Sequence, residues 1–247
     1  GYNLLPDMID PMARVVLGYR QGPVPGLGNP GDAEAVMFLG MHAASGTEGF
    51  MAHTLTSRII WLELNRKPLA EVELFSASLA PYGIRPIFFS GCPTACGQAQ
   101  AVITRISSYP IDKSDGPALF DAHLWRAGLV HAALESLNNL DTEPYVVSGP
   151  FRAEITMVDG ERSARKLAKR WGFDQEGGRI FIEAADIHEL YRDLIRLCYL
   201  TPLTEKTLPW GLSLYNFTGR LGLDWVRWRQ RSVLKRYKLS QEKKINK

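Results

Sequence analysis

The sequence predicts an α/β protein: a layered mixed sheet with flanking helices, a smaller α+β part, and a basic C-terminal helical tail. Three observations predict it. Segments patterned as strands alternate with segments patterned as helices, the signature of a layered α/β architecture. The strand candidates are short continuous apolar runs bounded by Gly, Pro and Asn, as buried strands are. The 247 residues are 45% hydrophobic and 22% charged, enough apolar content to bury a core. That composition excludes a disordered chain. The 22 Gly and 15 Pro spread along the chain exclude a coiled coil. No apolar run reaches the about 18 residues that a membrane-spanning helix requires.

Each element follows from local pattern. Residues 1–34 are rich in Pro and Gly and read as loop. Ala35–Gly40 (AVMFLG) is a buried strand, and Arg58–Leu64 (RIIWLEL) a second, with Asn65-Arg66-Lys67-Pro68 as its turn. Leu69–Leu79 carries Leu, Val and Ala at helical spacing and is closed by Pro81 and Gly83. Pro86–Gly91 is a third strand, followed by a helix from Pro93 and a fourth strand over Ala101–Ile106. Leu119–Asn138 is a long amphipathic helix. Arg152–Met157, Gly160–Trp171, Arg179–Ile182 and Ala185–Leu200 alternate strand, helix, strand, helix. A break near 141–148 divides the chain into an α/β part over 1–147, a smaller α+β part over 148–202 and an extension over 203–247.

Charge is uneven. From Arg220 onward there are ten Lys/Arg against Asp224 and Glu242, 10 − 2 = +8. With a total of +3, residues 1–219 carry 3 − 8 = −5. A basic segment containing Trp225, Trp228 and Tyr237 could meet nucleic acid, an anionic membrane or an acidic partner. The preferred reading is a peripheral helix packed on the body or on a neighbouring subunit. Three Cys cannot all pair within one chain, and their spacing suits neither structural zinc nor a C-x-x-C redox site. With no basic, apolar leader in Gly1–Asp7, a reducing cytoplasm is the expected compartment.

Several motifs fail on context. Gly26-Leu27-Gly28-Asn29-Pro30-Gly31 spells G-x-G-x-x-G, but Pro23 and Pro25 precede it and Pro30 removes a phosphate-binding amide. His188-Glu189 begins like a zincin helix, but Arg192 occupies the position of the second His. Cys92 and Cys96 read as small buried hydrophobes. Two other histidines stand out by position. His42 follows the Ala35–Gly40 strand within two residues, and His53 follows a loop of small, flexible residues. Catalytic groups of α/β proteins gather where strands end. Glu71 sits in the first turn of the next helix. His, His and carboxylate are zinc-ligand types, although no local spacing joins them.

The stretches Val36-Met37-Phe38-Leu39-Gly40-Met41-His42-Ala43-Ala44, Gly49-Phe50-Met51-Ala52-His53-Thr54 and Asn65-Arg66-Lys67-Pro68-Leu69-Ala70-Glu71 resemble the core of the zinc-dependent D-aminopeptidases of the DppA type. The intervals, 53 − 42 = 11 and 71 − 53 = 18, need no gap. The resemblance covers most of residues 1–200. It implies that His42 and Glu71 are ligands of one zinc ion of a dinuclear centre and that His53 is the catalytic histidine. It implies hydrolysis of a peptide or amide bond and a homo-oligomer. The family's Asp-x-Glu-Gly strand and its Asp-Ser-His motif, which supply further ligands, have no counterpart here. The expectation is that a companion N-terminal polypeptide, or a segment cleaved or truncated from this chain, completes the site. The alternative is a non-catalytic subunit or binding module on the same fold.

Overall fold

The computed structural model describes residues 9–13, 22–24, 26–112 and 120–214, with 217, 218, 221, 222, 225, 228 and 229 beyond them. The elements run β1 (Ala35–Met41), β2 (Ile59–Leu64), β3 (Lys67–Pro68), α1 (Glu71–Leu79), β4 (Arg85–Gly91), α2 (Pro93–Val102), β5 (Ser107–Ser108), α3 (Ala122–Glu135), β6 (Phe151–Met157), α4 (Gly160–Trp171), β7 (Asp174–Glu176), β8 (Arg179–Ala184) and α5 (Ile187–Tyr199). They form two sheets flanked by helices, the mixed α/β architecture that the sequence predicts.

The first sheet is parallel, in the order β1-β4-β5. Its central strand β4 is buried from Pro86 to Gly91, as a parallel strand covered on both faces must be. β1 and β4 pair from Ala35 opposite Arg85 to Met41 opposite Gly91, with the register shifting between Val36 and Met37 and again between Leu39 and Met41. Gly91 is required here: a Cβ would lie 2.4 Å from the Met41 carbonyl oxygen. The outer edge of β1 has no partner strand among the described residues, and Leu39 there is 62% exposed.

The second sheet is antiparallel, in the order β3-β2-β6-β8-β7. β6 alternates buried Phe151, Ala153, Ile155 and Met157 with outward-facing Arg152, Glu154 and Thr156. This period of two fixes which face meets the core. Asn65 and Arg66 turn β2 into β3 with φ of 51° and 69°, the left-handed pair of a type I′ hairpin. The Asn65 side chain then accepts the Arg152 amide at 3.0 Å, tying the hairpin tip to β6. The parts expected at 1–147 and 148–202 therefore share this sheet through the β2–β6 pairing. α4 and α5 pack against β6 and β8, and α1 packs against α5, joining the two sheets.

Two segments differ from the sequence expectation. Ala101–Ile106 is not a strand. Ala101 and Val102 end α2, and the Ile103 amide still bonds back to Ala99 at 2.9 Å. The β-branched run Val102-Ile103-Thr104 suggested a strand, but Ile103 and Ile106 are buried as a turn that caps the core, with Arg105 at φ 63°. Burial of those two side chains outweighs local propensity. α3 is the expected helix, capped by Asp121, whose side chain accepts from the His123 and Leu124 amides. It buries none of its own residues, and Leu124, Val130 and Leu134 point to solvent among the described residues. The Gly26–Gly31 motif is a tight turn in which the Gly28 carbonyl accepts the Val24 amide. All three cysteines are free and buried.

Candidate functional site

His42 lies one residue beyond β1, at the carboxyl end of the parallel sheet. Its Nδ1 sits 2.9 Å from the Phe50 carbonyl, and the His53 Nδ1 sits 2.8 Å from the Met51 carbonyl. A carbonyl oxygen only accepts, so each Nδ1 carries a proton and donates, and each Nε2 is left outside that bond. The two rings lie 4.7 Å apart, centroid to centroid, tilted by 41°. The structure thus presents two half-buried imidazoles side by side, each oriented by a backbone carbonyl. That outer-shell arrangement is the one metal-ligating histidines use.

The loop between them is held from several directions. The Ser45 and Thr54 side chains exchange bonds with each other's backbone amides at 3.1 and 2.8 Å. Thr54 Oγ1 also donates to the Leu69 carbonyl at 2.9 Å. The His53 amide bonds to the Ala43 carbonyl at 3.0 Å. Gln98 on α2 accepts the Ala44 amide at 2.9 Å and donates to Thr47 Oγ1 at 3.0 Å. Met51 and Leu55, on either side of His53, adopt left-handed φ of 51° and 63°. That conformation is unfavourable for such side chains and is maintained here by the surrounding bonds.

Glu71 opens α1, and its Oε1 accepts the Leu55 amide at 3.0 Å. The Leu55 carbonyl in turn accepts the Tyr199 hydroxyl at the end of α5. Burial, with Cys198 and Glu71 nearby, pushes the Tyr199 phenol up to about 12, so it keeps its proton. Glu71 is therefore tied to the peptide two residues beyond His53. Glu73, in the same first turn, serves the helix instead: it accepts the Ala70 amide and the Tyr145 hydroxyl, and burial raises its pKa.

In donor chemistry the imidazole pair fits zinc, which takes neutral histidine nitrogen and carboxylate oxygen. In number it falls short: among the described residues no three metal-binding side chains converge. The sequence-derived candidates His42 and His53 are brought into ring contact, while Glu71 connects to them through the Leu55 backbone. Gln98, Ser45, Thr54 and Tyr199 were not singled out by sequence. No local pattern signals them, because the loop and its braces lie far apart along the chain. His188, rejected as a zincin ligand, donates from Nε2 to the Ser78 carbonyl at 2.8 Å, a packing role.

Gln98→Ala tests the brace. It leaves the buried Ala44 amide without its acceptor, a loss of about 1–3 kcal/mol. The expected result is a lower melting temperature together with faster hydrogen exchange at Ala44 and His53. Unchanged exchange at those amides would mean that Gln98 does not hold the loop.

The fold has a counterpart among known proteins. No curated protein gives a significant match to this chain. Among solved structures, it is similar to the Zn-dependent D-aminopeptidase DppA from Bacillus subtilis, described as a self-compartmentalizing protease. That match has a TM-score of 0.69 at 18% identity and covers 79% of this chain and 73% of the other, a likeness of fold. The family model described as D-aminopeptidase (peptidase M55) matches residues 1–194, a span that holds both sheets and the histidine loop. By that match the chain belongs to the D-aminopeptidase family.

Proposed function

We propose that this chain takes part in zinc-dependent hydrolysis of a peptide or amide bond, with a D-amino-acid peptide as the favoured substrate class. The observation that carries the reading is the His42–His53 pair: two rings in contact, each with its Nε2 left unengaged by its orienting bond. His42 Nε2 and the Glu71 carboxylate are the groups that would hold zinc. Glu71 Oε1 is engaged by Leu55, which leaves Oε2 for the cation. Zinc, when bound, supplies Lewis acidity and acidifies water. His53, kept in one tautomer by Met51, delivers or removes a proton at Nε2, in reach of the leaving amine.

The described residues supply fewer than the three or four ligands of an ordinary zinc site. The reading therefore includes a further segment or companion polypeptide that brings the others. The outer edge of β1, open among the described residues, supports this, because an apolar strand edge is a surface that proteins cover by pairing. The exposed apolar side chains of α3 support association between copies, as the self-compartmentalizing relative suggests. Three free buried thiols suit a reducing cytoplasm.

The test measures zinc content and hydrolysis of matched D- and L-alanyl amides, by the chain alone and with a peptide spanning the missing ligand motifs. The chain alone is expected to hold zinc weakly and below one equivalent. With the ligands restored, binding tightens and the D-substrate is cleaved. Tight occupancy of two zinc ions by the chain alone contradicts the two-ligand arrangement. Full zinc loading without cleavage of either amide contradicts the enzymatic reading.

A further inference from the structure

Most of the basic segment from Arg220 onward lies outside the described residues. A different array of charge is built on the second sheet. β6 and β8 bury Phe151, Ala153, Ile155, Ile180 and Ile182 in the core that α4 and α5 complete. By the strand period of two, Arg152, Glu154, Arg179 and Phe181 face the other way. Glu63 of β2 stands directly opposite Glu154. With Arg66 at the hairpin tip and Glu176 of β7, these side chains line a cavity of about 570 Å³. That volume lies within the range of small-molecule sites. The lining includes neither His42 nor His53.

The charges in the cavity are only partly paired. Arg179 holds Glu154 at 3.1 Å and Glu176 at 2.8 Å. Glu63, Arg66 and Arg152 make no ion pair among the described residues, although they share the cavity. Arg152 is nevertheless well positioned. Its backbone exchanges bonds with Asn65, at 3.0 Å to the Asn65 side chain and 2.9 Å from the Asn65 amide, so it is fixed beside the hairpin tip that carries Arg66. Its guanidinium lies over the Phe181 ring, 5.4 Å from the centroid, as Arg179 does at 5.6 Å. Stacking holds the guanidinium plane and leaves its N–H edges for a planar acceptor. Glu63 has the opposite need. It faces Glu154 across the strands, a like-charge pair that is unfavourable, and Arg179 neutralises only the Glu154 side.

Three Arg and three Glu line the cavity, so its net charge is zero. A bare anion would meet the Glu63 carboxylate, and a bare cation would meet two unpaired guanidinium groups. A neutral ligand with a carboxylate and an ammonium group satisfies both. We propose that this cavity binds a small zwitterion, an amino acid or short peptide with free termini, its carboxylate on Arg66 and Arg152 and its ammonium on Glu63. The binding is independent of the proposed hydrolysis, since it needs no zinc and neither histidine. It does adjoin the histidine loop. Trp61 is two residues from Glu63 on the same face of β2, and its ring packs so closely on Gly46 that a Cβ there would overlap it. A ligand in the cavity therefore lies beside the footing of that loop.

The experiment is titration of the full chain with L-alanyl-L-alanine, followed by calorimetry and by backbone amide NMR shifts. Shifts are expected at Glu63, Arg66, Arg152 and Phe181. N-acetylated and C-amidated forms of the dipeptide should each bind about tenfold more weakly, the loss of one charge-assisted contact. Glu63→Gln should weaken the dipeptide to the level of its N-acetylated form while leaving the fold intact, because it relieves the repulsion with Glu154. Arg152→Lys, which keeps the charge and loses the planar fork, should weaken both the dipeptide and its N-acetylated form. His42→Ala should bind as the parent does. Absence of shifts at these amides overturns the proposal, as does equal binding of the blocked and free dipeptides, or loss of binding in His42→Ala. Failure to bind the dipeptide combined with a concentration-dependent mass increase that Arg152→Lys loses would assign the cavity to contact with a second copy, and would overturn it as well.

Discussion

His53→Ala is expected to leave the protein folded and its zinc content near that of the parent, while hydrolysis by the completed enzyme falls by about 10²–10⁴-fold, the contribution of one positioned proton-transfer group. The expectation rests on how the ring is held. Its Nδ1 is engaged by the Met51 carbonyl, so the side chain supplies one orienting bond to a loop that Ser45, Thr54 and Gln98 brace independently. Deleting the ring removes Nε2 without removing the brace. His42→Ala should differ in kind and lower zinc affinity and turnover together. Metal analysis, melting temperature and rate on both variants separate the roles. If His53→Ala turns over like the parent, or releases zinc as readily as His42→Ala, the division between proton carrier and ligand is wrong.

Phe89→Ala should be the most damaging single core substitution near the site, at about 3–5 kcal/mol. Phe89 is fully buried at the middle of β4 and belongs to the apolar layer that includes Phe38, Ala43, Ala44 and Ala95. That layer underlies the start of the histidine loop, so a cavity there has few flexible neighbours to fill it. Against a total stability of about 5–15 kcal/mol, the loss would leave little margin. Urea unfolding followed by far-ultraviolet circular dichroism measures it. A loss under about 1 kcal/mol would show that the layer collapses around the gap.

How much of this was legible beforehand varied with the physical range of the cause. The runs Ala35–Gly40 and Pro86–Gly91 announced two strands, but only the second is covered on both faces; in β1 Phe38 alone is buried. Asn65-Arg66-Lys67-Pro68 announced a turn, of which Asn65 and Arg66 form the loop while Lys67 and Pro68 pair as β3. Val102-Ile103-Thr104 misled because the burial of Ile103 and Ile106 is decided by neighbours distant in sequence. The apolar side of α3 has the periodicity of a buried face, and periodicity alone does not say what covers it. At the site, position after a strand pointed to His42 and the small-residue loop pointed to His53. The Gln98 brace was beyond reach, since it joins residues 54 apart through α2. Tyr199 was equally so, touching Leu55 from 144 residues away.

The sheet that β2 and β6 build together has a bearing on how such proteins can be inherited. β2 comes from the first part of the chain and β6 from the second, and they lie edge to edge at its centre. A gene fragment ending in the 141–148 linker would encode a hairpin with one side of its ladder bare, and the remainder would encode a sheet lacking its other half. Recombination at that linker, the most inviting seam in the sequence, therefore yields two incomplete products. The smallest span that keeps both sheets whole runs from β1 to β8, and α5 packs onto it.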